Sequence, residues 1–216
     1  MDTPVKSASG PAHPLDTLEW VGGHVALDFV NTVHNRYAQE PRSYLQGYGD
    51  LLAWCRKADL IGPVSQGYLE AGSERAKSAA FKEAQELNAA LHRVFSAAAH
   101  GETLPQESLD FLNNLVQKTV AWRHIAACAD EDQGRKINCG WDFKGAPPYA
   151  VLGPIGWRAM ELLENGPLDR IKECPPPEGC GWLYLDNSKN RSRQWCSMKT
   201  CGNTAKVRRF RQRQRA

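Results

Sequence analysis

Four cysteines that fall within 28 residues, Cys174, Cys180, Cys196 and Cys201, constrain this 216-residue chain more than any other feature. They form a Cys-x5-Cys pair, a 15-residue interval and a Cys-x4-Cys pair. The segment that carries them, residues 169–216, holds so few aliphatic side chains that it cannot bury enough surface to fold alone. Four thiolates around one Zn²⁺ make a closed tetrahedral shell with no open position, the arrangement of a structural zinc. Such a site supplies about 10 kcal/mol or more of folding free energy to a small module. The other three cysteines, Cys55, Cys128 and Cys139, are scattered. An odd total, with no apolar signal-like stretch over residues 1–15, points to a reducing cytoplasm and away from a disulfide framework. The expected cofactor is therefore one structural Zn²⁺ per chain, held by Cys174, Cys180, Cys196 and Cys201.

The charge divides at the same place. The formal net charge is +3, but residues 1–168 carry 15 Lys and Arg against 20 Asp and Glu, while residues 169–216 carry 12 against 4. An acidic body followed by a basic tail points to a polyanionic partner for the tail. The final basic run, from Thr204 to Gln214, reads as a helix that begins just after Cys201. It carries Lys206, Arg208, Arg209, Arg211 and Arg213, with Arg215 beyond it, and Val207 and Phe210 form its expected packing face against the zinc core. Lys189, Arg191 and Arg193 add charge in the loop before Cys196. Cations at this density suit phosphate contacts.

The body reads as mainly helical. Residues 1–16 are small, polar and proline-containing, and are expected to be disordered. Apolar residues recur at helical spacing from His24 to Arg36, and again over Tyr48–Leu60. Ser73 to His100 predicts a long helix with Ser73 as N-cap and Gly101 as terminator. Another helix opens over Pro105–Val116. Ala121–Cys128 and Lys136–Phe143, on either side of a polar link, read as a β-hairpin. Pro147–Asn165 reads as a helix whose start is interrupted by Gly153-Pro154 and Gly156. Asn165-Gly166-Pro167 is a break, which gives a body over residues 17–166 and a tail over 167–216. Within the tail, Pro175–Gly179 reads as a knuckle and Trp182–Leu185 as a strand. The fold class is mainly α with a small β-hairpin, an α+β arrangement, followed by a treble-clef-like zinc module with four cysteine ligands. No uninterrupted apolar run is long enough to span a membrane.

Gly181-Trp182-Leu183-Tyr184-Leu185-Asp186, Ser188 through Met198, Cys201-Gly202-Asn203 and Lys206-Val207-Arg208-Arg209 closely resemble the CGNR zinc finger. Gly22-Gly23 followed by Ala26-Leu27-Asp28-Phe29-Val30-Asn31-Thr32 resembles the opening motif of the ABATE domain that precedes this finger in bacterial proteins assigned to stress-induced transcriptional regulation. Thr204 stands where the naming tetrad has Arg, and the first cysteine pair is one residue longer than the family pattern. The resemblance implies a cytoplasmic bacterial transcription regulator: the finger binds DNA, RNA being the lesser expectation, and the body senses a small ligand or forms a dimer. An RNA-binding protein or a protein-interaction adaptor with a structural zinc module is the alternative.

On a helix over His24–Arg36, Asp28, Asn31, Thr32 and Asn35 share one face. They are either a polar surface stripe or one wall of a pocket for a small effector. The enzyme classes that carry sequence signatures find no support. No His-Glu-x-x-His, Walker loop, Gly-x-Ser-x-Gly or zinc-deaminase pattern occurs, so no catalytic residues are expected.

Overall fold

The computed structural model describes residues 15–130, 134–176 and 179–214. Of the segment expected to be disordered, residues 1–14 lie outside the described residues, and Leu15–Thr17 form a 3-10 turn. The elements that follow are α1 (Val25–Val30), β1 (Val33–His34), β2 (Arg42–Ser43), α2 (Tyr48–Lys57), α3 (Pro63–Glu70), α4 (Glu74–His100), α5 (Gln106–Thr119), β3 (Arg123–Asp130), β4 (Gly134–Trp141), α6 (Leu152–Asn165), β5 (Ile171–Glu173), β6 (Leu183–Leu185) and α7 (Asn203–Arg213). The strands make three separate antiparallel pairs, β1–β2, β3–β4 and β5–β6.

Helix α4 is the axis of the body. It runs for 27 residues because Ser73 Oγ accepts from Ala76 N–H at its start and Gly101, at φ 69°, closes its end in the left-handed region. Its buried face, Ala80, Ala84, Leu87, Leu91, Val94 and Phe95, follows the 3.6-residue period. Against it pack α1, α2, α5, the 3-10 turn Pro148–Val151 and strand β5. Trp54, fully buried on α2, stacks on Trp20 at 5.6 Å and tilts against Phe29 at 5.3 Å.

Three readings of the body change. Pro63–Glu70 is a helix, started by Pro63 in the first turn, where a missing N–H costs nothing. Gly153 does not break the start of α6. A Cβ there would lie 2.5 Å from the Trp141 ring, so glycine lets the hairpin press directly onto the helix. Helix α1 stops at Val30 and does not continue to Arg36. The reason is a capture of its terminal carbonyls by side chains from elsewhere. Asn88 Nδ2 and Thr32 Oγ1 both donate to Phe29 O, at 2.7 Å each, and Arg36 Nη2 donates to Val30 O at 2.6 Å. With those acceptors taken, the chain turns out at Asn31 into β1.

The buried cluster is continuous from the body into the tail. Leu27, Phe29, Leu87 and Leu91 belong to the same cluster as Cys174, Trp182, Leu183, Tyr184, Trp195 and Cys196. No helix among the described residues is long and apolar enough to cross a membrane.

Candidate metal centre and nucleic-acid interface

The four cysteines converge. Cys174 lies directly after β5 and Cys180 shortly before β6, so the antiparallel pairing of the two strands closes the first knuckle. Cys174 N–H donates to Trp182 O at 2.8 Å, and Gly181 N–H to Cys174 O at 3.2 Å. Gly179 is required for close approach, since a Cβ there would sit 2.7 Å from Cys174 Sγ. Gly181, at φ 73°, makes the turn back into β6. The second pair comes from Cys196 and from Cys201, which sits in a π-helical turn, Met198–Gly202, that runs into α7.

The four sulfurs lie within 4.8 Å of one another, with Cys180–Cys196 at 3.5 Å and Cys196–Cys201 at 3.7 Å. Sulfurs on a tetrahedral Zn²⁺ at about 2.3 Å lie about 3.8 Å apart, so the cage has the size of a zinc–thiolate shell. Hydrogen bonds from Cys180, Cys196 and Cys201 draw the Cys174 thiol down from its ordinary value despite its burial. A cluster of four sulfur donors, three buried and Cys201 partly so, fits a closed structural zinc, and this centre is the protein's one zinc site among the described residues.

The finger is joined to the body by buried polar contacts. Asn31 acts as a strand segment: its Nδ2 donates to Leu183 O at 2.8 Å and its Oδ1 accepts from Leu183 N–H at 2.9 Å. Leu185 N–H donates to Gly22 O at 2.8 Å, and Trp182 Nε1 donates to Val33 O at 2.9 Å. The Trp182 ring also meets His34 edge-on at 5.3 Å. On the other side of the finger, Glu173 accepts from the hydroxyls of Tyr37 and Ser96, the latter at 2.6 Å, with His92 Nε2 at 3.5 Å. Burial opposes the Glu173 charge, but these donors outweigh it and hold the carboxyl below its ordinary value.

Asp186 organises the loop that follows β6. Its Oδ1 accepts from Ser188 N–H at 2.9 Å and its Oδ2 from Lys172 Nζ at 2.6 Å and Arg193 N–H at 3.1 Å. Burial resists its ionisation, yet these donors keep the carboxyl well below the usual carboxylate range. Arg193, expected among the nucleic-acid contacts, turns inward instead. Its guanidinium donates to Val21 O, Leu185 O, Trp195 O and Cys196 O and stacks over Tyr184, 4.3 Å from the ring centroid. A five-donor planar fork suits several carbonyls at once, which explains why this loop cation is internal.

The remaining cations of the expected interface are exposed: Lys189, Arg191, Lys206, Arg208, Arg209, Arg211 and Arg213. Lys199, in the π-helical turn, joins them. Arg191 reaches Asp169 at 2.7 Å. Helix α7 is anchored by its first turn, where Gly202 and Ala205 are buried, and every described residue beyond Ala205 is exposed. Val207 and Phe210, expected to pack on the zinc core, are 48% and 61% exposed. The core is already filled by Trp182, Tyr184 and Trp195. Thr204, in the position of the family arginine, donates its hydroxyl to Thr200 O at 3.1 Å. Arg215 lies outside the described residues. Between α7 and the Asp186 loop runs a cleft of about 510 Å³ lined by Ser188, Ser192, Gln194, Met198, Lys206 and Arg209.

The residues expected to share a ligand wall are dispersed. Asn31 is spent on Leu183. Thr32 is bonded to Phe29 O and Asn88, and Asn35 is an exposed residue at φ 53° in the turn after β1. Asp28 Oδ1 accepts from Gly22 N–H at 2.8 Å, holding the loop whose carbonyl receives Leu185. Burial pushes the Asp28 carboxyl up to about 6, against the lowering effect of the Gly22 and Val21 amides. A folded-state value raised above the ordinary 3.8 means that the Asp28 contribution to stability is fully present below about pH 4 and is lost as pH rises through about 6. Asp28→Asn keeps the acceptor for Gly22 without the charge. It is expected to be more stable than the wild type by about 2 kcal/mol at pH 7.5, a gain that vanishes near pH 4. Denaturant unfolding of both proteins with zinc present across this range checks it. A pH-independent difference contradicts the assignment.

The sequence reading missed Arg36, Asn88, Glu173 and Asp186 as organisers. A buried-polar role for Asp186 was detectable only as an acidic residue inside a basic tail. The others have little local signal: apart from the Arg36 bond to Val30, six residues away, the partners that fix them lie 52 to 136 residues away.

Compared with known protein families, residues 170–214 match the CGNR zinc finger, and residues 23–166 match ABATE, described as "Putative stress-induced transcription regulator". A search of curated proteins finds no match for the chain. The two matched segments are the body built on α4 and the four-cysteine module docked on it, and the chain thus belongs to the ABATE family and carries a CGNR zinc finger after its ABATE domain.

Proposed function

We propose that this protein is a cytoplasmic, non-enzymatic transcription regulator whose zinc finger binds duplex DNA through α7 and the Asp186 loop, and whose ABATE body senses a small ligand. The observation that carries the reading is the presentation of α7. Five cations lie on an 11-residue helix that is fixed by a zinc-bound turn at one end and exposed along the rest of its length. A helix held this way can enter a groove about 12 Å wide while its flanking cations meet phosphates on both sides. Exposed Gln194, Gln212 and Gln214 supply amides able to pair with base edges. Zinc is structural in this reading. It holds the turn from which α7 departs and takes no part in a reaction.

The body's polar contacts support the sensing half, because the carbonyls that end α1 and the Asn31 contact to Leu183 lie on adjacent residues. A change at the end of α1 is therefore a change at the finger's strand.

Footprinting of the tagged protein across its genome, followed by titration of a recovered site against its scrambled duplex, tests the reading. A specific regulator is expected to prefer the recovered site by about 10³-fold or more. Equal affinity for the scrambled duplex overturns sequence-specific regulation, and stronger binding to single-stranded RNA favours the RNA-binding alternative.

A further inference from the structure

A cavity of about 200 Å³ opens between the end of α1, the β1–β2 hairpin and α4. Phe29, Leu45, Phe81 and Ala84 make its apolar wall, and Arg36 and Asn88 supply its polar side. The polar groups there differ in how they are satisfied. Asn88 Nδ2 donates to Phe29 O and, at 3.1 Å, to Thr32 Oγ1, and Ser43 Oγ donates to Leu45 O at 2.8 Å. Arg36 is the exception. Its Nη2 donates to Val30 O and Asn88 Oδ1, but its Nε is buried without a hydrogen-bond partner. Burial also draws the guanidinium down to about 10, with Glu173 acting in the opposite direction. The guanidinium is a largely desolvated cation on the wall of a mainly apolar pocket, and its Nε, itself shielded from the pocket, gains a partner only when the side chain shifts toward a bound group, which calls for an anion. The pocket is about half open at the surface, and its volume suits an anion with a compact apolar body, since an enclosed cavity of about 150 Å³ accommodates benzene.

We infer that this cavity binds a small monocarboxylate with a single-ring or branched apolar body, its carboxylate on Arg36 and its body against Phe29, Leu45, Phe81 and Ala84. The site deepens the sensing half of the proposed function by giving the ligand a chemical class, and it rests on that reading. Its position also provides the route to the finger. Arg36 holds Val30 O, the next residue, Asn31, holds Leu183, and the Arg36–Tyr37 turn packs over Gly181 so closely that a Cβ on Gly181 would meet the Tyr37 ring at 2.8 Å. A carboxylate that draws the guanidinium toward the cavity therefore loads the same turn that borders Cys180.

The test uses the zinc-loaded full chain without DNA, so that its failure leaves DNA binding standing. Benzoate, phenylacetate and isovalerate are the probes, with benzamide as the neutral analogue of benzoate. At about 100-fold above its dissociation constant, at least one acid is expected to raise the melting temperature by about 3–8 °C. Benzamide is expected to bind at least about tenfold more weakly than benzoate, having lost the charge-assisted contact. Arg36→Met is expected to abolish the shift. Because Arg36 also holds α1, Ala84→Leu provides the second arm: it narrows the cavity from the α4 side, removes no hydrogen-bonding group and, with its own ligand-free melting temperature as reference, is expected to abolish the shift as well. No shift with any of the three acids, an equal shift with benzamide, or an undiminished shift in Ala84→Leu overturns the inference.

Discussion

Cys196→Ser is expected to release the zinc and to lower the melting temperature of the whole chain, body included, by about 10–20 °C in a single transition. The size follows from two quantities. A structural zinc contributes about 10 kcal/mol or more to a small module, and a chain of this length loses roughly 2–4 °C per kcal/mol. Part of the loss is recovered, because an unfolded finger no longer has to order its backbone. The single transition follows from the buried cluster, which runs without interruption from Phe29 and Leu91 through Leu183 to Cys196. An unfolded finger would expose Leu183, Trp182 and the α1 face beneath them, and would break both hydrogen bonds between Asn31 and Leu183. Calorimetry with metal analysis checks it, as does a chelator titration of the wild type. A body that melts at its original temperature after zinc loss would show that the finger is an appended module.

Asn31→Ala has the second largest expected effect, a loss of about 3–4 kcal/mol with the zinc site itself intact. Both amide atoms of Asn31 are bonded to one residue 152 positions away, and all the groups involved are buried. Alanine removes two hydrogen bonds and leaves both the N–H and the C=O of Leu183 without a partner, at about 1–3 kcal/mol for each buried group. Zinc stoichiometry is expected to stay at one per chain, since no ligand is touched. Amide exchange at Leu183 is expected to accelerate by a factor of about 100 or more, consistent with the loss of that stability. A variant with wild-type stability would mean that water replaces Asn31 without cost and that the junction is not a unit.

The sequence made some parts of this account legible and left others hidden, according to the range of the interactions involved. Cysteine spacing marked the zinc shell, because ligand spacing is local chemistry. The caps of α4, Ser73 and Gly101, were readable for the same reason. The β3–β4 hairpin was visible in its strand residues and turn. The end of α1 was not. Val33 kept the helical period going in the sequence, while Asn88 and Arg36, far along the chain or beyond the turn, removed the carbonyls that a further helical turn needed. The same distance effect hid the role of Asn31, whose polar neighbours suggested a ligand wall and whose partner is a strand of the finger. Arg193 looked like its neighbours Lys189 and Arg191 in a basic loop, and only the folded loop separates an inward cation from outward ones. Val207 and Phe210 were assigned inward on periodicity, but three aromatic residues had already filled the small core.

The central claim is that the zinc-fixed turn displays α7 to nucleic acid while Arg193 serves the finger's own fold. It is tested most directly by the salt dependence of duplex DNA binding. For the zinc-loaded wild type, the log of the association constant is expected to fall linearly with the log of salt concentration, with a slope of about −4 to −6, as for four to six phosphate contacts. Replacing Lys206, Arg209 and Arg213 together by alanine is expected to reduce that slope by about 3 units and leave the melting temperature nearly unchanged, because all three are exposed. A slope near zero for the wild type, or a slope unaltered in the triple variant, would contradict the account.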